Sequence, residues 1–256
     1  MEFTKKVAII TGSAQGIGKE MALSFSKEGA KVVIADVNLE KSLETMQEIK
    51  KQGGTSVVIK TDITDMDSIK NLVKETQKCF GKKIDILANV AGVCIQEDIF
   101  ESTEKSWDLI MDINLKGMFF LSKEVAKIMA EFKKGKIINI SSTSGYITST
   151  RCSMAYDVSK AAVRMLTTGL AEFLGPYNIN VNAIAPGTTK TQMITDLFGD
   201  DYFNGEWVRT SYPLGRIANP IDLANAAMFL CSEDARDING HTLLVDGGCL
   251  LAYRRK

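Results

Sequence analysis

Apolar positions change their spacing repeatedly along this chain, and the changes predict the order of its elements. Val7 to Ile10 is a continuous apolar run, as a strand buried on both faces requires; Met21, Ala22, Phe25 and Ala30 then recur at helical spacing. Val32-Val33-Ile34-Ala35-Asp36 is a second β-rich run that stops on a carboxylate. An amphipathic helix follows over 39–53, with Leu43, Met46 and Ile49 on one side and Gly53-Gly54 ending it. Thr55 to Lys60 predicts a third strand, 65–80 a helix and Ile84 to Ala88 a fourth strand. One long amphipathic helix is expected over 104–132, its stripe running from Trp107 through Ile110, Leu115, Phe119 and Val125 to Phe132. Gly135 to Ile140 is the fifth strand, and an apolar helical run extends from Val158 to 173/174. Asn178 to Ala185 predicts a sixth strand, Pro220 to Ser232 a last helix, and Thr242 to Val245 a seventh strand.

Strand and helix alternate without a linker or an internal repeat. That calls for an α/β fold, a single doubly wound domain over 1–256 whose seven-stranded parallel sheet carries helices on both faces. Ligands gather at the carboxyl ends of such strands, so Gly12, Asp36, Asp62 and Asn89 should converge on one rim. Gln192 to Pro213 breaks the alternation, with aromatics (Phe198, Tyr202, Phe203, Trp207, Tyr212) and acids (Asp196, Asp200, Asp201, Glu206). By itself it reads as a helical hairpin with its own small core.

The turn after the first strand carries the first candidate chemistry. Glycines fall at 12, 16 and 18, which is neither G-x-G-x-x-G nor a P-loop, since position 13 is Ser and position 20 is Glu. A Gly-rich turn opening a helix still offers free N–H groups and a positive dipole end to an anion. Asp36 sharpens the reading, because a carboxylate ending the second strand can accept both ribose hydroxyls of an adenosine and repels a 2′-phosphate. Neither Val37 nor Asn38 supplies a cation, so NAD is expected rather than NADP.

Composition mostly excludes. The 256 residues, 45% hydrophobic, balance 31 acids with 31 bases, so no global field draws in nucleic acid or anionic lipid. Arg254-Arg255-Lys256 reads as a solvated end. Five scattered cysteines without C-x-x-C suit a reducing compartment and argue against zinc and against a disulfide framework. Residues 1–6 lead directly into the first strand and no apolar run approaches membrane-spanning length, so a cytoplasmic protein is expected. A single histidine, His241, sits in a turn entering a strand, which excludes multi-His metal sites; no G-x-S-x-G elbow is present. No metal is expected.

Three polar positions keep two readings each. Asp62 either caps the following helix or accepts an adenine amine. Asn114, on an apolar stripe, is either a satisfied core amide or part of a site. Tyr156 and Lys160 lie one helical turn apart, away from the apolar run; they are either an exposed tyrosine stacked on a lysine stem or a working pair, in which the ammonium beside the phenol favours the phenolate and makes Tyr156 an acid/base near neutral pH.

Taken in order, these residues resemble the markers of the short-chain dehydrogenase/reductase family over nearly the full chain. Thr11-Gly12-x-x-x-Gly16-x-Gly18 is similar to its cofactor turn, and Asp36 to its NAD-selecting acid. Asn89-x-Ala91-Gly92 follows its N-N-A-G with Val90 in place of the second Asn. Ser142, Tyr156-x-x-x-Lys160 and Pro186-Gly187-x-x-x-Thr191 complete the set. The resemblance implies a Rossmann-like fold, a homotetramer, and hydride transfer between NAD(H) and a secondary alcohol or ketone of polyol, sugar or hydroxysteroid type. It implies a catalytic set of Asn114, Ser142, Tyr156 and Lys160, with Asn114 holding a relay water. The implied NAD site combines Gly12, Gln15, Gly16, Ile17 and Gly18 with Asp36, Val37, Asp62 and Ile63. It continues through Asn89, Ala91, Gly92, Tyr156 and Lys160 to Pro186, Gly187, Thr189 and Thr191. Substrate contacts are expected from Ser142, Ser144, Gln96 and Tyr156, beneath a lid at about 190–213. Two departures stand out. Val90 removes a side-chain hydrogen bond, and Ser142 and Tyr156 are fourteen positions apart, one more than the family pattern, with the extra residue expected within 146–153. An NADPH-linked 3-oxoacyl-thioester reductase and a catalytically silent NAD-binding scaffold are the alternatives.

Overall fold

The computed structural model describes residues 2–148, 152–203 and 205–252. Seven strands form one parallel sheet in the order β3-β2-β1-β4-β5-β6-β7. They are β1 (Val7–Thr11), β2 (Lys31–Asp36), β3 (Thr55–Lys60), β4 (Ile86–Asn89), β5 (Gly135–Ile140), β6 (Ile179–Pro186) and β7 (Thr242–Val245). The chain starts in the middle, winds outward to β3, and returns across β1 to β4, so the order reverses at the β1/β4 boundary. A crevice opens there beyond the strand ends.

The two faces carry separate cores. One is built on Ile10, Ile34 and Ile138 with Phe25 and Met21 of α1 (Gly16–Lys27), Ile49 of α2 (Leu39–Lys51) and Leu223 and Ala227 of the later helix over 220–231. The other joins Ile9, Leu87 and Val181 to Leu72 of α3 (Met66–Phe80) and to Val125 and Met129. Strands β1 and β5 are buried along their whole length; β1 accordingly reads as an apolar run, while β5 also buries Lys136 and Asn139, which pair with Asn180 and with Asn89 and Thr167. Asp85, just before β4, accepts from the Val7 N–H (3.0 Å) and pairs with Lys6 and Lys83, fixing the start of β1 against β4.

Several expectations need correction. The segment over 104–132 is not one regular α-helix: α4 (Glu104–Met111) and α5 (Met118–Glu131) flank a π-helical stretch, Asp112–Gly117, that contains Asn114. Trp107, Phe119 and Phe132 on its expected buried stripe are exposed, as is Leu43 of α2, whose buried side is Ser42, Thr45 and Ile49. Helix α6 (Met154–Leu174) inverts the expectation more fully. Its buried face carries Ala155, Ser159, Lys160, Val163, Thr167 and Ala171, while Met165 and Phe173 of the apolar run are about three-quarters exposed (73% and 76%). Asp62 does not cap α3. Asp65 does, accepting from Asp67 N, and Asp62 instead accepts from the Thr64 N–H (2.8 Å) and hydroxyl.

Between β6 and β7, α7 (Gln192–Phe198), a 3-10 turn over Asp200–Phe203 and α8 (Glu206–Ser211) enclose a cluster of Phe203, Val208, Tyr212 and Ile217, as the aromatic content implied. α9 (Pro220–Cys231) follows, and α10 (Cys249–Ala252) ends the described chain. The expected solvated tail, Arg254-Arg255-Lys256, lies outside the described residues, as do 149–151 of the loop expected to absorb the extra position.

Candidate active site

The β1–α1 turn is shaped by what its glycines lack. Gly12 and Gly16 adopt φ of 63° and 59°, in the left-handed region, and a Cβ on Gly12 would sit 2.8 Å from the backbone of Ala91. The turn therefore lies directly against the exit of β4. Ser13 Oγ donates to Ile10 O (2.7 Å) and accepts from Ala35 N (3.1 Å), binding the turn to β2 as well. No side chain caps the first N–H groups of α1, and no acidic residue stands in its first turn. Those donors and the helix dipole are free for an anion. Asp36 accepts from Ala14 N (3.0 Å) and Asn38 N (2.9 Å), which holds its carboxylate at the end of β2. Open donors, a glycine cradle and a carboxylate at the adjoining strand end fit a dinucleotide.

A cavity of about 700 Å³ runs from this turn to the aromatic segment. Its wall includes Gly12, Gln15, Gly16, Ile17, Gly18, Asp36, Val37, Asp62, Ile63, Ala91, Gly92, Pro186, Gly187, Thr189 and Thr191, as expected, together with Ser142, Ser144, Tyr156 and Lys160. Three expected residues are absent from that wall. Asn89 is turned inward, donating to Ser122 Oγ and Asn139 Oδ1 (2.9 Å each). Gln96 is exposed outside the cavity, and Asn114 is fully buried behind it. The substitution at Val90 leaves the β4 turn anchored, since Thr11 Oγ1 accepts from both Val90 N (3.0 Å) and Ala91 N (3.1 Å). Lys41, which sequence reading did not weigh, donates to Gln15 Oε1 (2.7 Å) and brings a cation to this rim.

Strand β5 delivers Ser142, and α6 delivers Tyr156 and Lys160. Ser142 Oγ accepts from Ser144 N (3.1 Å), opening a 3-10 turn over Thr143–Gly145, and it lies within hydrogen-bonding reach of the Tyr156 phenol despite the longer spacing. Ser153 caps α6. Lys160 Nζ donates to Ile140 O (2.9 Å), and Ser141 Oγ donates to Lys160 O (2.7 Å), so helix and strand hold each other at this level. Gly92 completes the wall: a Cβ there would stand 3.1 Å from Asn114 Oδ1 and 3.4 Å from Lys160 Nζ.

The electrostatics overturn one expectation. Burial pushes the Tyr156 phenol above its ordinary value, with the Cys94 and Cys152 thiols adding to the rise and Ser142 opposing it. Lys160 lies 5.6 Å from the ring centroid with its ammonium turned to Ile140 O. Burial in turn pushes Lys160 down to about 8. The phenol is thus held protonated, and the lysine is the group poised near neutrality.

Asn114 sits inside the π-helical stretch with its amide almost fully engaged. Nδ2 donates to Val93 O (2.9 Å) and Ser159 Oγ (3.1 Å), and Oδ1 accepts from Val93 N (2.8 Å). It brackets the chain after β4 against α6, leaving one acceptor position on Oδ1 facing Gly92. The core and site readings of Asn114 are therefore compatible. Sequence reading missed Cys94 and Cys152 on the cavity wall, where no spacing signal marks them; Tyr212, named among the aromatics of the 192–213 segment, also lines it and accepts from Thr188 N (2.9 Å).

Known proteins share this arrangement. Residues 12–249 match the sequence family described as enoyl-(acyl carrier protein) reductase. An NAD-dependent glycerol dehydrogenase of Listeria innocua is 38% identical over 247 residues, covering 96% of this chain and 94% of that protein. A 5-keto-D-gluconate 5-reductase of Escherichia coli is 36% identical over 247 residues, 96% of each chain. A 2,3-dihydro-2,3-dihydroxybenzoate dehydrogenase of Bacillus subtilis is 35% identical over 255 residues, again 96% of each. The crystal structure of a short-chain type dehydrogenase/reductase from Mycobacterium marinum superimposes with a TM-score of 0.91 at 30% identity, covering 97% of this chain and 96% of that one. The chain belongs to the short-chain dehydrogenase/reductase family, oxidoreductases that act on alcohol and carbonyl carbons.

Proposed function

We propose that this protein interconverts a secondary alcohol and its ketone with NAD(H) as hydride carrier, and that Ser142, Tyr156 and Lys160 perform the proton chemistry. The observation that carries the reading is the convergence of a glycine cradle, Asp36, and the Ser142–Tyr156 pair on the wall of one cavity. When bound, the nicotinamide supplies or accepts the hydride. The rest falls to the chain. Ser142 donates to the substrate oxygen and orients it. Tyr156, held protonated by burial, gives its proton to a ketone oxygen as that oxygen gains negative charge. Lys160, pushed down to about 8, returns a proton to the phenolate and exchanges with solvent. In the oxidative direction Tyr156 must first lose its proton, through Lys160 to solvent, and its phenolate then accepts the alcohol proton, which requires further positive charge beside it. Asn114 supports this set through Val93 and Ser159, with its remaining acceptor available to a relay water.

Asp36 supports NAD over NADP, since a carboxylate at that strand end repels a 2′-phosphate. The Gln192–Pro213 segment is assigned as a lid over the substrate half. Five cysteines outside any disulfide support a cytoplasmic setting. Exposed Met165 and Phe173 on α6, with Trp107 of the neighbouring α4, support a homo-oligomer, which we assign as a tetramer. NADH-linked reduction of a panel of polyol-derived, sugar-derived and cyclic ketones tests the reading. Turnover of at least one class with NADH, and NADPH the weaker ligand, is expected. NADPH binding tenfold tighter would overturn the role of Asp36. NADH binding without turnover on any ketone would favour the scaffold alternative.

A further inference from the structure

Beside Tyr156 the cavity wall carries two thiols that the proposed proton chemistry does not use. Cys94 follows the Gly92 turn after β4, and Cys152 immediately precedes Ser153, the cap of α6. A main-chain hydrogen bond from Ser153 N to Ile95 O (2.9 Å) clamps the two segments side by side, and the thiols themselves are in hydrogen-bonding contact. Both are half-buried, neither is in a disulfide, and both face the cavity. They stand fifty-eight positions apart in the chain, so only the fold brings them together.

We propose that Cys94 and Cys152 form a reversible thiol–disulfide pair, a modification site on the cavity wall whose oxidation by hydrogen peroxide suppresses turnover at Tyr156. The hydrogen bond to Cys152 and burial keep the Cys94 proton in place, and oxidation starts at the Cys152 sulfur. The Cys152 sulfur gives up its proton and attacks one peroxide oxygen; the O–O bond breaks, Cys152 becomes a sulfenic acid, and the departing hydroxide takes up a proton equivalent to the one the thiol lost and leaves as water. The Cys94 sulfur then attacks the sulfenic sulfur, forming the S–S bond and expelling a second water. Two thiols lose two electrons and the peroxide gains them.

The consequence follows from what the two segments hold. An S–S bond of about 2.0 Å is much shorter than a hydrogen-bonded sulfur pair. Closure therefore draws the chain after β4 towards the N-terminus of α6. That chain includes Val93, which Asn114 grips at both N–H and C=O, and the first turn of α6 carries Tyr156. A displacement on the order of 1 Å at such groups is enough to slow a reaction up to about a hundredfold.

The activity effect rests on the function proposed above; formation of the bond does not, and one experiment separates them. The full-length protein is treated with hydrogen peroxide, denatured, alkylated with iodoacetamide, and its labels counted by mass spectrometry, with turnover measured in parallel. The reduced protein should take five labels, one per cysteine, and the oxidised protein three, with a peptide linking Cys94 to Cys152. NADH-linked turnover should fall about tenfold or more, and dithiothreitol should restore it. Cys94→Ser and Cys152→Ser should each form no such link, and each should keep its ratio of oxidised to reduced turnover near one. Cys79→Ser, at an exposed site away from the cavity, should respond like the wild type. Five labels after oxidation, or a link between other cysteines, overturns the pair. A link without loss of turnover overturns its control of Tyr156. A reduced protein that turns over no substrate defeats the functional reading instead, and the label count still decides the thiol pair.

Discussion

Replacing Asn114 with Ala tests how the π-helical stretch and the catalytic helix depend on each other. The side chain is fully buried and makes three hydrogen bonds, two to the N–H and C=O of Val93 and one to Ser159 Oγ. Ser159 loses little, because its hydroxyl still donates to Tyr156 O (2.7 Å). Val93 loses both of its side-chain partners. A buried backbone group left unsatisfied costs about 1–3 kcal/mol; Val93 is half-buried, so its two groups together are expected to cost about 3 kcal/mol, in the lower half of the range of about 2–6 kcal/mol for two fully buried groups. With an unfolding entropy of about 2.1 cal/mol/K per residue, that loss lowers the melting temperature of a chain this long by about 6 °C. Calorimetry at fixed protein concentration reads it directly. Turnover should fall as well, since the Gly92–Cys94 wall loses its tether, while NADH affinity changes less because the β1–α1 turn is held by Thr11 and Ser13. A melting temperature within about 1 °C of wild type would refute the accounting, and with it the view that Asn114 is a structural bracket as well as a site residue.

Lys160→Met removes a buried charge, and its effect on stability should depend on pH. The folded value of about 8 lies below the ordinary 10.5, so the unfolded chain holds the extra proton between these limits. Wild-type stability therefore rises relative to the variant across that window, by about 2 kcal/mol from pH 8 to 9.5. Urea unfolding of both proteins at the two pH values checks it, and a constant difference would contradict the burial of the ammonium. At Asp85 burial pushes the carboxyl up, but the Lys83 and Val7 hydrogen bonds and the Lys6 and Lys83 charges outweigh it, so the net value is lowered. Its contribution is present above the ordinary carboxylate range and is lost as pH falls through the lowered value. Asp85→Asn should cost about 1–3 kcal/mol at pH 7, and the gap should close in strong acid; a gap that persists there would place the contribution elsewhere than in the charge.

The sheet was legible in the chain because parallel strands buried on both faces are predominantly apolar, as Val7 to Ile10 make β1 and as Ile137, Ile138 and Ile140 make β5. The cofactor half was legible for a similar reason: φ near +60° at Gly12 and Gly16 leaves few choices of residue. Helical periodicity carried less. It shows which residues share a face and nothing about what covers that face, so Met165 and Phe173 read like core and are exposed. The opposite face of α6 is buried with Ser159, Lys160 and Thr167, whose polar atoms find partners such as Ile140 O and Asn139 only in three dimensions. The π-helical turn left no mark, because the apolar spacing survives a local change of winding. The sign of the Tyr156 shift was misread for a related reason. A spacing of four places the ammonium near the phenol, but burial, which the sequence does not display, dominates the phenol.

The central claim is that the Tyr156 hydroxyl carries the proton in hydride transfer, and Tyr156→Phe tests it most directly. Removing that oxygen deletes the donor while leaving Lys160 hydrogen-bonded to Ile140 and the glycine turn unchanged. Stopped-flow measurement of NADH oxidation with any active ketone should show NADH binding retained and the hydride-transfer rate lowered about 10²- to 10⁴-fold. A rate within tenfold of wild type at equal NADH affinity would contradict it.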